Sequence, residues 1–280
     1  MQVIRTAAEM RDVRRGMNGT VGLVATLGGI HAGHTAHMDT LRPLCDTLVG
    51  SLFLNPTQFS ANEDLSNYPS NEDADLAEFE KHGVDIVFVP SVDEMYPPAE
   101  TEKIPQIDPG PVASVLDGVN RPGHFDGVAT VVARLFSIIS PDKATFGEKD
   151  AQQLRVIQHV VESLELAIEI IPIPTVREPD GLAGSSRNAY LSAEEREAAM
   201  VLFNALTAVK VSWDSGERSG DVLRAVMTGV LAAEPLATTE YVSVADIDTF
   251  RELDRADQSA RALLAVKIGS ARLIDNILLD

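Results

Sequence analysis

Apolar residues along this chain fall into two alternating rhythms up to about residue 174. Short apolar runs at Val21–Thr26, Leu48–Leu54, Val84–Val89, Lys143–Phe146 and Ile168–Ile173 predict strands of a buried sheet. Between them, Gly33–Cys45, Glu72–His82, Gly127–Ile139 and Asp150–Leu164 carry helical patterns. The third is the clearest: Val128, Val131, Val132, Leu135, Phe136 and Ile139 form one stripe, and Pro141 stands just beyond, where a helix has to stop. Strands alternating with helices predict an α/β domain, a Rossmann-like doubly wound parallel sheet covered on both faces. In such folds ligands bind beyond the carboxyl ends of the strands.

After Pro174 the order changes to helix, helix, then strands. Ser192 and Glu195 make a capping box for a helix running to about Val211, and a second helix is expected over Asp221–Ala233. Strands are expected at Glu240–Ala245, Leu263–Ile268 and Arg272–Leu278, the last two joined through Gly269-Ser270 as a hairpin. The chain therefore reads as a ligand-binding domain over 1–174 followed by a smaller α+β domain over 175–280 that acts as a lid. Tyr96–Pro111, with five prolines after Tyr96, reads as an irregular connection.

Composition narrows the class. The 280 residues are 45% hydrophobic and 23% charged, ordinary for a globular protein without extended disorder. A formal charge of −19 and the absence of any Lys/Arg block argue against a nucleic-acid partner. No stretch approaches the ~18 apolar residues that span a bilayer, so no membrane association is expected. Arg and Glu interrupt the first apolar residues, as a signal peptide would not allow, and the one cysteine, Cys45, cannot form an intrachain disulfide. Together these predict a cytoplasmic protein. Cys45 and Trp213 read as packing residues.

Chemistry enters at TLGGIHAGHTAHM, residues 26–38, where the first long strand gives way to glycines and histidines. Gly28 and Gly29 permit close backbone approach, and a helix beginning near Gly33 would turn its unpaired N–H groups toward the strand end. That is an anion site. His31 and His34, three apart, could present both imidazoles to one phosphate, and zinc ranks low.

Further polar clusters lie where the fold places ligand contacts: Asn55-Pro56-Thr57-Gln58-Phe59, Arg121-Pro122-Gly123-His124-Phe125-Asp126-Gly127, Gly147-Glu148-Lys149-Asp150 and Ser185-Ser186-Arg187-Asn188. Taken singly, each also reads as ordinary turn or surface chemistry. In this order they resemble the pantothenate synthetase (pantoate–β-alanine ligase) family of the nucleotidyltransferase superfamily. The specific strings are RPGHFDGVATVV (121–132), GEKD with Gln152-Gln153, the PTVRE…DGLA…SSRN…YLS pattern (174–192) and RLIDNI (272–277).

The resemblance implies ATP-dependent joining of pantoate to β-alanine through pantoyl adenylate, releasing pyrophosphate and then AMP, with Mg²⁺ accompanying the nucleotide and a homodimeric assembly. It implies that His31, His34, Lys149, Ser186 and Arg187 are catalytic, binding the phosphates as pyrophosphate leaves. Thr26, Leu27, Gly28, Gly147, Asp150, Val176 and Ser185 would complete the ATP site, with Asp150 near the ribose. Gln58 and Gln153 would grip pantoate, with Asn55, Arg121 and His124 lining its pocket. Asp73 and Asp75 are the Mg²⁺ ligand candidates. These residue types suit the reaction, because carboxylate attack on a phosphoryl group chiefly needs positioning and neutralisation of negative charge.

The chain departs from the family pattern at Ala25, Leu27, Ile30 and Ala32 around the histidine motif, and at Ser70, Ala74 and Ala151. Two alternatives follow: a related adenylate-forming ligase for a different acid or amine, or a non-catalytic nucleotide-binding paralogue. Retention of His31, His34, Lys149 and Arg187 argues against the second.

Overall fold

A computed structural model describes residues 1–59, 65–98 and 105–280. The described chain divides into two compact units, Met1–Glu148 with Gln152–Pro174, and Lys149–Ala151 with Thr175–Asp280. Residues 99–104 of the proline-rich connection lie outside the described residues.

In the first unit the strands are β1 (Gln2–Ile4), β2 (Val21–Thr26), β3 (Thr47–Leu52), β4 (Ile86–Phe88), β5 (Lys143–Gly147) and β6 (Glu169–Ile173). All neighbouring pairs are parallel, in the order β1-β4-β3-β2-β5-β6. The helices are α1 (Ala7–Gly16), α2 (Ala32–Leu41), α3 (Glu72–Lys81), α4 (Val92–Met95), α5 (Asp117–Asn120), α6 (His124–Ile139) and α7 (Ala151–Ser163). Two cores form: one gathers Ile4, Met10, Leu23, Val128, Leu135, Phe136 and Ile157, the other Val24, Met38, Leu41, Leu48, Phe79 and Val87. Leu23 and Val24 are successive residues of β2 that point to opposite faces, so each core lies on its own side of the sheet.

Sheet order fixes where a ligand belongs. From β2 the chain builds outward through β3 and β4, while β5 and β6 add on the other flank. The carboxyl ends of β2 and β5 therefore border the point where the strand order reverses, the place for ligands in open parallel sheets. β2 ends at Thr26, the first residue of the glycine–histidine segment, and β5 ends at Gly147.

In the second unit, α8 (Ala193–Ala198), α9 (Met200–Asp214) and α10 (Gly220–Leu231) precede an antiparallel sheet of β7 (Ala237–Asp246), β8 (Ala260–Ile268) and β9 (Ala271–Leu279). Its core joins Leu202, Leu206, Trp213, Leu223 and Met227 to Val244, Leu264, Val266 and Leu273. Ile268 pairs with Ala271 across the expected two-residue hairpin, where Gly269 takes a φ of +57°. Trp213 is a packing residue, as expected, with the Arg218 guanidinium 3.8 Å above its ring.

Candidate active site

The segment after β2 is built around an aspartate that sequence reasoning placed elsewhere. Thr26 Oγ1 donates to the Ser51 carbonyl (3.0 Å), fastening the end of β2 to β3. The chain then turns at Gly28, whose φ of +103° a side chain would resist. Asp75 on α3, 4% exposed, accepts from Gly29 N (3.0 Å, Oδ2) and Ile30 N (2.8 Å, Oδ1). Both oxygens are thus committed to loop amides. Asp73, expected beside it as a Mg²⁺ ligand, is exposed in the first turn of α3. Among the described residues no three His, Cys, Asp or Glu side chains gather as a metal site. Asp75 is a brace for the loop, accepting from two of its amides.

The two histidines close the helix end on themselves. His31 is the N-cap of α2: its Nδ1 accepts from Gly33 N at 3.0 Å, while His34 Nδ1 accepts from His31 N at 3.3 Å. This is a reciprocal capping box made of imidazoles, with ring centroids 4.2 Å apart. Because each Nδ1 is an acceptor, each neutral ring carries its proton on Nε2. The helix end therefore presents two ring N–H donors beside the positive pole of the macrodipole. A Cβ on Gly33 would lie 2.7 Å from the His31 ring, which explains glycine between the histidines.

A second cluster in the same unit joins Asn55, Gln58, Arg121 and His124. Asn55, fully buried, caps the turn Pro56–Gln58 and donates to Gln58 Oε1 (3.1 Å) and the Gly127 carbonyl (3.3 Å). Arg121 Nη1 lies 2.9 Å from His124 Nε2. A guanidinium can only donate, so Nε2 is the acceptor and His124 Nδ1–H donates to the Gln58 carbonyl at 2.8 Å. His124 thus holds the opposite tautomer to His31 and His34. Gly127 lets α6 press on this turn: a Cβ there would meet the Thr57 carbonyl oxygen at 2.3 Å. Of the glutamine pair on α7, Gln152 is buried and holds the carbonyls of Val112 (2.7 Å) and Val115 (2.8 Å), while Gln153 is half-buried.

Tyr96 escaped sequence analysis because it stood in the proline-rich connection. Its hydroxyl donates to Asn55 Oδ1 at 2.8 Å, and burial raises its pKa above the ordinary phenol value, keeping it a donor. Only its neighbourhood to the Asn55 turn, invisible in one dimension, marks it as part of this cluster.

The remaining candidates belong to the second unit. Lys149 lies 3.5 Å from Asp150, and its carbonyl accepts from Asn276 Nδ2 at 2.9 Å. Ser185 caps a 3-10 turn over Ser186–Tyr190, with Arg187 N donating to Ser185 Oγ at 3.2 Å. Gly184 N donates to the Val176 carbonyl (2.9 Å), so Val176 and Ser185 flank a small hairpin. Gly147, at the end of β5, stays with the first unit.

The family described as Pantoate-beta-alanine ligase matches residues 2–278 of the chain. A pantothenate synthetase of Roseiflexus sp. (strain RS-1) is 52% identical over 280 residues, covering 100% of both chains. Among solved structures, a pantothenate synthetase from Thermus thermophilus superposes with a TM-score of 0.93 at 41% identity, covering 99% of each chain. A pantoate-beta-alanine ligase from Francisella tularensis, complexed with beta-gamma ATP and beta-alanine, gives 0.82 at 30% identity, covering 99% of this chain and 97% of that one. With the histidine-capped helix standing at the strand-order reversal of a doubly wound sheet, the chain belongs to the pantoate–β-alanine ligase family.

Proposed function

We propose that this protein joins pantoate to β-alanine in two steps. A pantoate carboxylate oxygen attacks the α-phosphorus of ATP, the bond to the β-phosphate bridging oxygen breaks, and pyrophosphate leaves pantoyl adenylate. The β-alanine amine then attacks the acyl carbon, AMP departs, and the amine nitrogen loses a proton to give the amide. The observation that carries this reading is the imidazole capping box at the carboxyl end of β2.

On this reading the Nε2–H groups of His31 and His34 donate to ATP phosphates. Lys149, Ser186 and Arg187 act on the outer two phosphates; Thr26, Leu27, Gly28, Gly147, Asp150, Val176 and Ser185 contact the nucleotide. Gln58 and Gln153 hold pantoate. Asn55 and His124 act through Gln58, fixing its side chain and its carbonyl, and Arg121 sets the His124 tautomer. Fixed donors of this kind stabilise developing charge without reorganising during the reaction.

Mg²⁺ belongs to the reading as a companion of the triphosphate, since it commonly keeps its waters and binds substrate phosphates. The chain's own residues carry every step above. Activity in the cytoplasm belongs to the same reading, and so does a homodimer, which sedimentation at the mass of one chain would contradict. Among the described residues no helix is long and apolar enough to cross a membrane.

Product analysis tests the chemistry. Purified protein given ATP, pantoate and β-alanine should form pantothenate and AMP in equal amounts. Turnover only with another acid or amine would assign a sibling ligase, and no turnover with any would leave a nucleotide-binding paralogue.

A further inference from the structure

Strand β9 carries two adjacent polar residues that a sheet of this kind has no packing reason to hold. Ala271, Leu273, Ile277 and Leu279 form the row facing the helical core, and Asp275 interrupts it while only 3% exposed. Asn276, on the opposite face, is 5% exposed. Buried polar groups persist only with partners, and theirs are specific.

Asp275 receives the fork of Arg177, Nη1 at 2.6 Å and Nη2 at 3.0 Å. The same guanidinium donates to the Gly181 carbonyl (3.0 Å) and lies 5.0 Å from the Phe203 ring. Arg177 pairs with Ala183 in the hairpin that leads into Ser185-Ser186-Arg187. Asn276 accepts from Arg261 Nη1 (2.5 Å) through its side-chain oxygen and, through Nδ2, donates to the backbone carbonyl of Lys149 (2.9 Å). Neighbouring side chains of one rigid strand thus hold two segments more than twenty-five residues apart in sequence, both bearing cations assigned to phosphates.

We propose that Asp275 and Asn276 form a positioning pair, Asn276 fixing Lys149 and Asp275, through Arg177, fixing the Ser185–Arg187 turn, so that both are placed for the departing pyrophosphate. The proposal rests on the function proposed above. It assigns the pair to the first step alone, because pyrophosphate is gone before the amine attacks.

The test is Asn276→Asp, which keeps the acceptor for Arg261 and removes the donor to Lys149. Wild-type protein is assayed first for pantoate-dependent ATP–pyrophosphate exchange; its absence would overturn the function and not merely the pair. In active enzyme, Asn276→Asp should lower kcat for exchange about 10-fold to 100-fold, as misplacement of a reacting group by about an ångström does. Aminolysis of supplied pantoyl adenylate by β-alanine should stay within about twofold. Asn276→Asp combined with Lys149→Ala should be no slower than Lys149→Ala alone, since both act through one group. Unchanged exchange, equal loss in both half-reactions, or losses that multiply in the double variant would each overturn the proposal. Asn276→Ser is scored by the same three criteria if thermal unfolding shows the aspartate variant to be misfolded.

Discussion

At the scale of single residues, His31 is the most informative position because it does two separable things. It caps α2 through Nδ1 and offers a donor through Nε2. Asparagine caps helices as well as any residue, but its amide N–H₂ is held close to the backbone and does not reach where the imidazole Nε2–H stands. His31→Asn should therefore unfold within a few degrees of wild type while losing on the order of 10²-fold in exchange rate, the typical effect of removing one charge-directed donor. His31→Ala should lose the rate and also about 1 kcal/mol of stability. Asp75 offers the converse separation. Asp75→Asn keeps one acceptor and turns an N–H₂ toward a loop amide, costing about 1–3 kcal/mol by leaving a buried donor unsatisfied. Activity should fall with the stability of the loop, but the Mg²⁺ concentration giving half-maximal rate should not move; a large increase would restore Asp75 as a metal ligand. The histidine motif was legible in the sequence because its residue types are rare together after a strand. The role of Asp75 was not, because its partners are backbone amides forty-five and forty-six residues away.

Among the elements, periodicity located the central strands and main helices well, since burial on both faces leaves β2 no alternative pattern: its observed span, Val21–Thr26, is the expected one. The short edge strand β1 and helix α1 were not read, because a three-residue strand with two exposed positions carries no alternation and α1 mixes Arg and Glu among few buried positions. The helix expected from Ser192 to about Val211 divides into α8 and α9 around Ala199, and its capping box is present as expected. Helix α6 starts three residues before the expected Gly127, at His124. That extra turn matters, since it holds His124 against the Gln58 carbonyl and brings Gly127 onto Thr57. Gly127→Ala should force helix and turn apart, costing about 1–3 kcal/mol. Steady-state kinetics should show a raised KM for pantoate with little change in KM for ATP. An unchanged pantoate KM would remove the Asn55–Gln58 turn from the pantoate pocket.

For the molecule as a whole, the order of elements made both architectures legible: strand–helix alternation gave the parallel sheet, and the change after Pro174 gave the antiparallel one. What one dimension could not show is that Lys149–Ala151, inside the first segment, packs with the second unit through Asn276. The −19 formal charge adds a constraint at this scale, because an acidic molecule must collect its cations locally to hold a triphosphate. The central claim is that this chain activates pantoate by adenylation. Its most direct test is isotopic exchange between pyrophosphate and ATP, with no amine present, as pantoate is titrated. Label should enter ATP only when pantoate is added, rising to saturation; exchange that is absent with pantoate, or independent of it, would contradict the account.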